Sequence, residues 1–334
     1  MNLFILLFII LVISNLAVFF GKKIKIPSVV TLIFVGVVFG LPWLEKNIIG
    51  GAKQLIFDIG DIGLLALMFL AGLESSWHLL CEEKKDAALI AFSSAIIPIF
   101  IGFSLFYLIG FSAKVSFIVG VCMSITAEAT KAKVLLELKK LKTKMGAALM
   151  GSGIIDDAFG LSLFVLLTYF VKAGGDKEKL LVAGSIMIFF VGMIFKKALG
   201  RYHDILSIIE NSLNWLLVPF FFISIGLHFH FQSLVLNPIL LFAILGIAIL
   251  GKLVGPFLVK PLTSFNRKQT FLIGWAMNSR GALELAIALI AYRTALISVE
   301  LYSSLIVMAF VTTLMFPFII IPIIRKDPQI MEED

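Results

Sequence analysis

Charge is scarce in this chain of 334 residues: Asp, Glu, Lys and Arg make up 15% against 60% hydrophobic residues, at a mean hydropathy of +1.07. So little charge excludes a single soluble core and predicts a polytopic membrane protein. Cysteine is scarcer still. Cys81 and Cys122 stand at no metal or redox spacing, so a disulfide framework and thiol catalysis are not expected. Sustained apolar and polar alternation is missing, and the apolar runs far exceed the 9–11 residues of a barrel strand, which excludes a β-barrel. The first 20 residues lack a basic start and a small-residue cleavage site, so they read as an uncleaved first helix with its N-terminus outside.

What is present is a series of apolar runs. A helix crossing about 30 Å of hydrocarbon needs about 20 residues, and the runs divide into about eleven: 2–20, 26–43, 54–77, 86–110, 114–139, 145–172, 178–198, 207–228, 235–260, 268–292 and 297–324. The expected fold class is an all-α polytopic membrane protein in one transmembrane domain, 1–334. Little polar sequence remains for a soluble domain, and no nucleotide-binding or regulatory domain is expected after the last segment.

Lys and Arg fall unevenly on the two sides of these segments. Seventeen of the 28 lie in loops on one side, including Lys22, Lys23, Lys84, Lys85, Lys139, Lys140, Arg267, Lys268, Arg325 and Lys326, and seven on the other. The basic side is cytoplasmic by the positive-inside rule, which predicts the inner or plasma membrane with the N-terminus outside and the C-terminus inside. The net charge of +7 follows from this bias, and no nucleic-acid partner is needed to explain it.

Four basic residues, Lys131, Lys133, Lys252 and Arg280, fall inside segments, and the sixth segment holds adjacent acids, Asp156 and Asp157. A carboxylate near the bilayer centre costs at least roughly 2.5–3.5 kcal/mol, so a pair of them points to an ion or proton pathway. At 1.5 Å per residue the pair lies roughly 17 Å above the inner end of its helix, and Lys252 roughly 12 Å above the inner end of the ninth. Glu128 in the fifth segment and Arg280 in the tenth reach similar depths, so opposite charges share one slab.

The fifth and tenth segments are interrupted at that depth, by Ser124–Thr130 (with Thr126 and Glu128) and by Asn278, Ser279, Arg280 and Gly281. Both read as unwound breaks, tolerable at membrane depth only where they line a cavity or are buried in protein. Glu128 would balance half-helix N-termini and Arg280 half-helix C-termini. Segments 9–11 repeat the pattern of segments 4–6 in inverted direction, with the second of each trio broken. Transporters of this architecture bind substrate at the midplane and alternate access by moving one bundle against the other.

Particular runs carry a resemblance: Ile26-Pro27-Ser28, GDIGLLALMFLAGLE in the third segment, TAEATKAKVLLEL in the fifth, GSGIIDDAFGL in the sixth, VPFFFISIGL in the eighth, GKLVGP in the ninth and NSRGALELAIA in the tenth. In order over residues 20–320, the chain resembles the second class of monovalent cation:proton antiporters, the bacterial sodium/hydrogen exchangers with paired aspartates. The resemblance implies a secondary antiporter exchanging Na⁺, or K⁺ or Li⁺, for protons without a cofactor, as a homodimer in the bilayer serving pH homeostasis. It implies that Asp157 binds cation and proton alternately and that Asp156 pairs with Lys252, with Thr126 and Arg280 supporting the site from the crossing helices. Members with both aspartates and this lysine tend to be electrogenic. Segments 1–80 and 178–230 would form the scaffold and dimer helices, and 86–172 and 235–324 the ion-transporting core.

Two departures stand out. The stretch between the seventh and eighth segments is short, as if a helix pair were missing, and Glu128 occupies a position where relatives often carry a small or hydroxyl residue, so the cavity would hold three acids.

Other polar residues have plainer expectations. Lys131 and Lys133 are expected to snorkel to the inner interface, with a cavity role as the alternative, Glu74 to be an inner-end interface residue, and Glu284 to pair with Arg280 four residues before it. Asp58 and Asp61 suit an outer entrance or the interface, and His228 and His230 an outer loop or a pH sensor. An intramembrane aspartyl protease fails on geometry, because adjacent helical residues point about 100° apart and cannot form a dyad. A sodium-coupled symporter of an organic anion, and a non-transporting sensor or scaffold derived from an antiporter, remain as alternatives.

Overall fold

The computed structural model describes residues 3–24, 26–74, 85–170, 176–199 and 203–332, and among them the regular structure is entirely helical. Cys81 and Lys84 lie outside the described residues. Among the described residues the eleven predicted segments each correspond to a helix or a helix pair, and eight of them are long and apolar enough to cross a membrane. The chain divides into two compact units, 1–76 with 175–229, and 77–174 with 230–334.

The first unit contains α1 (Leu3–Lys23), α2 (Ser28–Phe39), α3 (Lys53–Glu74), α8 (Asp176–Leu199), α9 (His203–Leu216) and α10 (Val218–Leu227). Two of its elements differ from expectation. The segment predicted over 26–43 is a helix of only 12 residues, bounded by Pro27 and Gly40, with Pro42 opening a separate short turn. A proline fixes the start because it lacks an amide donor and holds φ near the helical value. The segment predicted over 207–228 is divided at Leu217, two residues before Pro219, where an uninterrupted helix would set the proline ring against the carbonyl one turn earlier.

Every residue of α10 is buried, which makes it the axis of this unit. It packs on α2 and α3 through small residues. A Cβ on Gly36 would stand 2.9 Å from Gly226 Cα, and one on Gly60 would stand 2.9 Å from Ser224 Oγ. Such contacts bring backbones close in a medium that supplies no hydrophobic drive between helices. His228 stacks on Phe57 at 4.1 Å and its Nδ1 lies 2.7 Å from Ser224 O, so it is tied to the helix ends rather than free in a loop.

The second unit contains α4 (Lys85–Leu108), α5 (Ala113–Cys122), α6 (Glu128–Glu137), α7 (Lys144–Phe170), α11 (Phe231–Leu236), α12 (Pro238–Val259), α13 (Arg267–Ala276), α14 (Ala282–Arg293) and α15 (Val299–Lys326). The order long, broken, long occurs twice, as α4, α5/α6, α7 and as α12, α13/α14, α15, which is the expected repeat. Gly251 and Gly255, spaced four apart on α12, meet Pro98 and Ser93–Ser94 of α4 at about 3 Å from an added Cβ. That close seam between the leading helices of the two trios fixes the height of Lys252, which lies between the two glycines in sequence.

Candidate functional site

The two broken helices cross where they are unwound. Helix α5 ends at Cys122 and α6 begins at Glu128, while α13 ends at Ala276 and α14 begins at Ala282. Ala127 N donates to Ser279 O at 2.9 Å and Ser279 Oγ donates to Ala127 O at 3.0 Å, so each break satisfies backbone groups of the other. A Cβ on Gly281 would stand 3.1 Å from Ala127 Cβ, so a larger residue would force the crossing chains apart. Asn278, Ser279 and Gly281 lie in the break as expected. Thr130 does not: it lies inside α6, because helical hydrogen bonding resumes at Glu128.

The carbonyls left open at the end of α5 are met by cations from α12 and from the second break. Arg280 Nη1 donates to Met123 O at 2.7 Å and to Ile125 O at 2.9 Å, and Lys252 Nζ donates to Ser124 O. Cations belong at a helix C-terminus, where the dipole is negative and the last carbonyls lack partners. Glu128 is the first residue of α6 and Glu284 lies in the first turn of α14, so acids occupy the opposite, positive ends.

Helix α7 supplies the paired aspartates, and its 100° step per residue sends them into different surroundings. Asp156 is 1% exposed and its Oδ2 accepts from Thr126 N at 2.6 Å, while Oδ1 stands 4.0 Å from Lys252 Nζ. Lys252 Nζ also donates to Thr126 Oγ1 at 2.7 Å, and that hydroxyl donates to Met277 O at 3.2 Å. Thr126 thus touches Asp156, Lys252 and the second break at once. Asp157, one residue on, is only half-buried.

Arg280 pairs with Glu284 at 3.6 Å, both essentially unexposed, as the four-residue spacing predicted. Its backbone amide donates to Thr313 Oγ1 at 3.0 Å. Thr313 was missed by sequence reasoning, although the adjacent hydroxyls Thr312 and Thr313 amid the apolar run Leu305–Ile324 were a signal.

Lys131 corrects an expectation. It does not snorkel to the interface: it is fully buried, with Nζ 3.5 Å from Leu149 O and 3.6 Å from Met277 Sδ, and it feels the charges of Asp156, Glu128 and Asp157. Its position in the first turns of α6 points it along α7 instead of toward the end of its own short helix, so its stem cannot reach water. The unit therefore gathers three cationic side chains, Lys131, Lys252 and Arg280, with four acids, Glu128, Asp156, Asp157 and Glu284. With all ionised the cluster carries one net negative charge.

A family model described as sodium/hydrogen exchanger, transmembrane, matches residues 6–210 and 178–326. The chain belongs to the sodium/hydrogen exchanger family. Among its relatives in that family, a Na⁺/H⁺ antiporter of Enterococcus hirae is 25% identical, covering 94% of this chain and 96% of its own. The Na⁺/H⁺-K⁺ antiporter GerN of Bacillus cereus is 23% identical, over 92% of this chain and 93% of its own. Among solved structures, the sodium proton antiporter MjNhaP1 of Methanocaldococcus jannaschii has the same fold, with a TM-score of 0.67 at 17% identity over 97% of this chain and 98% of that one. The alignment with the Enterococcus exchanger spans 375 positions although it uses 94% of only 334 residues, so about sixty positions have no counterpart here.

Proposed function

We propose that this chain exchanges a monovalent cation for protons by alternating access, with Na⁺ as the first candidate and K⁺ or Li⁺ as the others. The observation that carries the reading is the arrangement around the crossed breaks: two adjacent acids on α7, one buried beside Lys252 and Thr126 and the other half-open. A carboxylate in that position can hold either a proton or a dehydrated cation, and the two compete. Asp157 is the exchanging group in this reading. Asp156 and Lys252 form the pair that tightens or loosens with its occupancy, and at 4.0 Å with Lys252 already bonded to the break, the pair suits such a switch. Thr126, Arg280, Ser279 and Gly281 hold the crossing in shape.

The relatives' names support antiport over the organic-anion symporter and the non-transporting sensor. One of them is a Na⁺/H⁺-K⁺ antiporter, which keeps K⁺ beside Na⁺. The first unit serves as scaffold and dimer surface and the second as the moving core, in an inner or plasma membrane with the N-terminus outside. The uneven basic loops support that orientation. Transport of this kind makes no covalent bond and needs no cofactor.

The test is dissipation of an imposed pH gradient in proteoliposomes on adding Na⁺, K⁺ or Li⁺. A cation-selective response from the wild type and none from Asp157→Asn is expected. Full pH-coupled exchange in Asp157→Asn would sink the reading.

A further inference from the structure

Glu128 is the acid for which neither the paired-aspartate pattern nor the helix-dipole argument gives a full account, and its surroundings are specific. It packs into a notch on α7: a Cβ on Gly153 would stand 2.9 Å from Glu128 Cγ and 3.1 Å from its Cδ. Gly153 lies four residues before Asp157, so the two share a helix face about 6 Å apart along the axis. Cα–Cβ bonds in a helix tilt toward its N-terminus, so the Asp157 side chain leans from its own level back toward the notch that Glu128 fills.

Exposure sorts the acids in the same way. Asp156 and Glu284 are closed off at 1%, whereas Asp157 and Glu128 are half-buried. One level further toward the start of α7, at Leu149, lies the buried ammonium of Lys131. Leu149, Gly153 and Asp157 thus mark one face at four-residue steps, presenting in order a cation, an acid and an acid.

We propose that Glu128 is a second carboxylate ligand of the transported monovalent cation, shared with Asp157, with Gly153 as the notch that admits it and Lys131 as the charge that holds it. This rests on the antiport reading above. A cation between the two carboxylates neutralises the single net negative charge of the cluster, and two anionic ligands offset the loss of hydration better than one. Gly153 is required because any larger side chain occupies the space of the Glu128 carboxylate.

The experiment is calorimetric titration of NaCl, KCl and LiCl into the purified full chain in detergent at one pH, with melting temperature recorded for each variant. The variants are Asp157→Asn, Glu128→Gln, Glu128→Asp and the double Glu128→Gln/Lys131→Met. Glu128→Gln should bind the preferred cation at least about tenfold more weakly, as expected for loss of an ionised ligand, with Glu128→Asp between it and the wild type. The double variant should recover melting temperature, because Lys131 no longer needs a counter-charge, yet bind as weakly as Glu128→Gln. Wild-type affinity in Glu128→Gln, or in the double variant, would overturn the proposal and leave Glu128 as a neutraliser of Lys131. A wild type that neither binds nor transports any of the three cations would overturn the antiport reading and this inference with it. The inference alone fails when Asp157→Asn abolishes binding and Glu128→Gln does not.

Discussion

The two units of this chain are built from similar apolar helices but handle charge in opposite ways. In the first, helices meet through glycines and aromatic side chains, and charges pair toward solvent: Lys177 lies 2.7 Å from Asp58 with side chains 52% and 46% exposed. In the second, three cations and two acids are closed off from solvent entirely or nearly so, and each is held by backbone carbonyls or amides or by an opposite charge. Exposed pairs are worth little, because water already solvates both partners. Buried ones are not replaceable singly, because removing either partner leaves the other desolvated and unpaired. The first unit can therefore tolerate changes of charge and the second cannot, while both are sensitive to size wherever glycines let backbones meet.

The largest effect should come from Arg280→Met, which leaves Glu284 buried without its partner and the carbonyls of Met123 and Ile125 without a donor. A loss of about 3–5 kcal/mol is expected, read as a fall in melting temperature or failure to recover monodisperse protein. Adding Glu284→Gln should restore part of it, since the two residues are coupled. A stable Arg280→Met single variant would erase the contrast between the units.

A smaller effect is expected on the side of size. Gly36→Leu inserts a side chain where a Cβ alone would stand 2.9 Å from Gly226 Cα. Overpacking of this kind costs about 1–3 kcal/mol, and the melting temperature should fall while cation binding by the remaining folded protein is unchanged. Loss of cation affinity at full stability would show that the packing of α2 on α10 reaches the ions.

The smallest effect belongs to Lys177→Gln. Its ammonium and Asp58 are half in solvent, with only the weaker 3.3 Å contact reaching the mostly covered Asp61, so a change of at most about 1 kcal/mol is expected. Gradient-dissipation rates should stay at wild-type level. A large drop in rate with stability intact would mean that these acids guide cations, which is the entrance role that the sequence allowed for Asp58 and Asp61.

Much of this molecule was determined by sequence alone, because membrane crossing imposes a simple length and polarity rule on every segment. Eleven segments, the inverted repeat and the breaks in the fifth and tenth all follow from counting apolar residues and locating the few polar ones. The pairing of Arg280 with Glu284 was legible because helical residues four apart are neighbours. The division at Leu217 was signalled only by Pro219 inside an apolar run, too weak a sign to separate two helices from one kinked helix.

Tertiary structure alone decided several of the meetings between polar residues distant in the chain. Lys131 looked like a snorkelling lysine because its helix is near an end of the fifth segment, and only the packing of α6 along α7 shows that its stem has no route to water. Thr126 as the common partner of Asp156, Lys252 and Met277, Thr313 beneath Arg280, and the Gly153 notch under Glu128 all join residues distant in the chain. Sequence periodicity records which face of a helix is polar, whereas the rotation and height of one helix against another depend on side-chain packing between them. Those two quantities decide which charges come into contact.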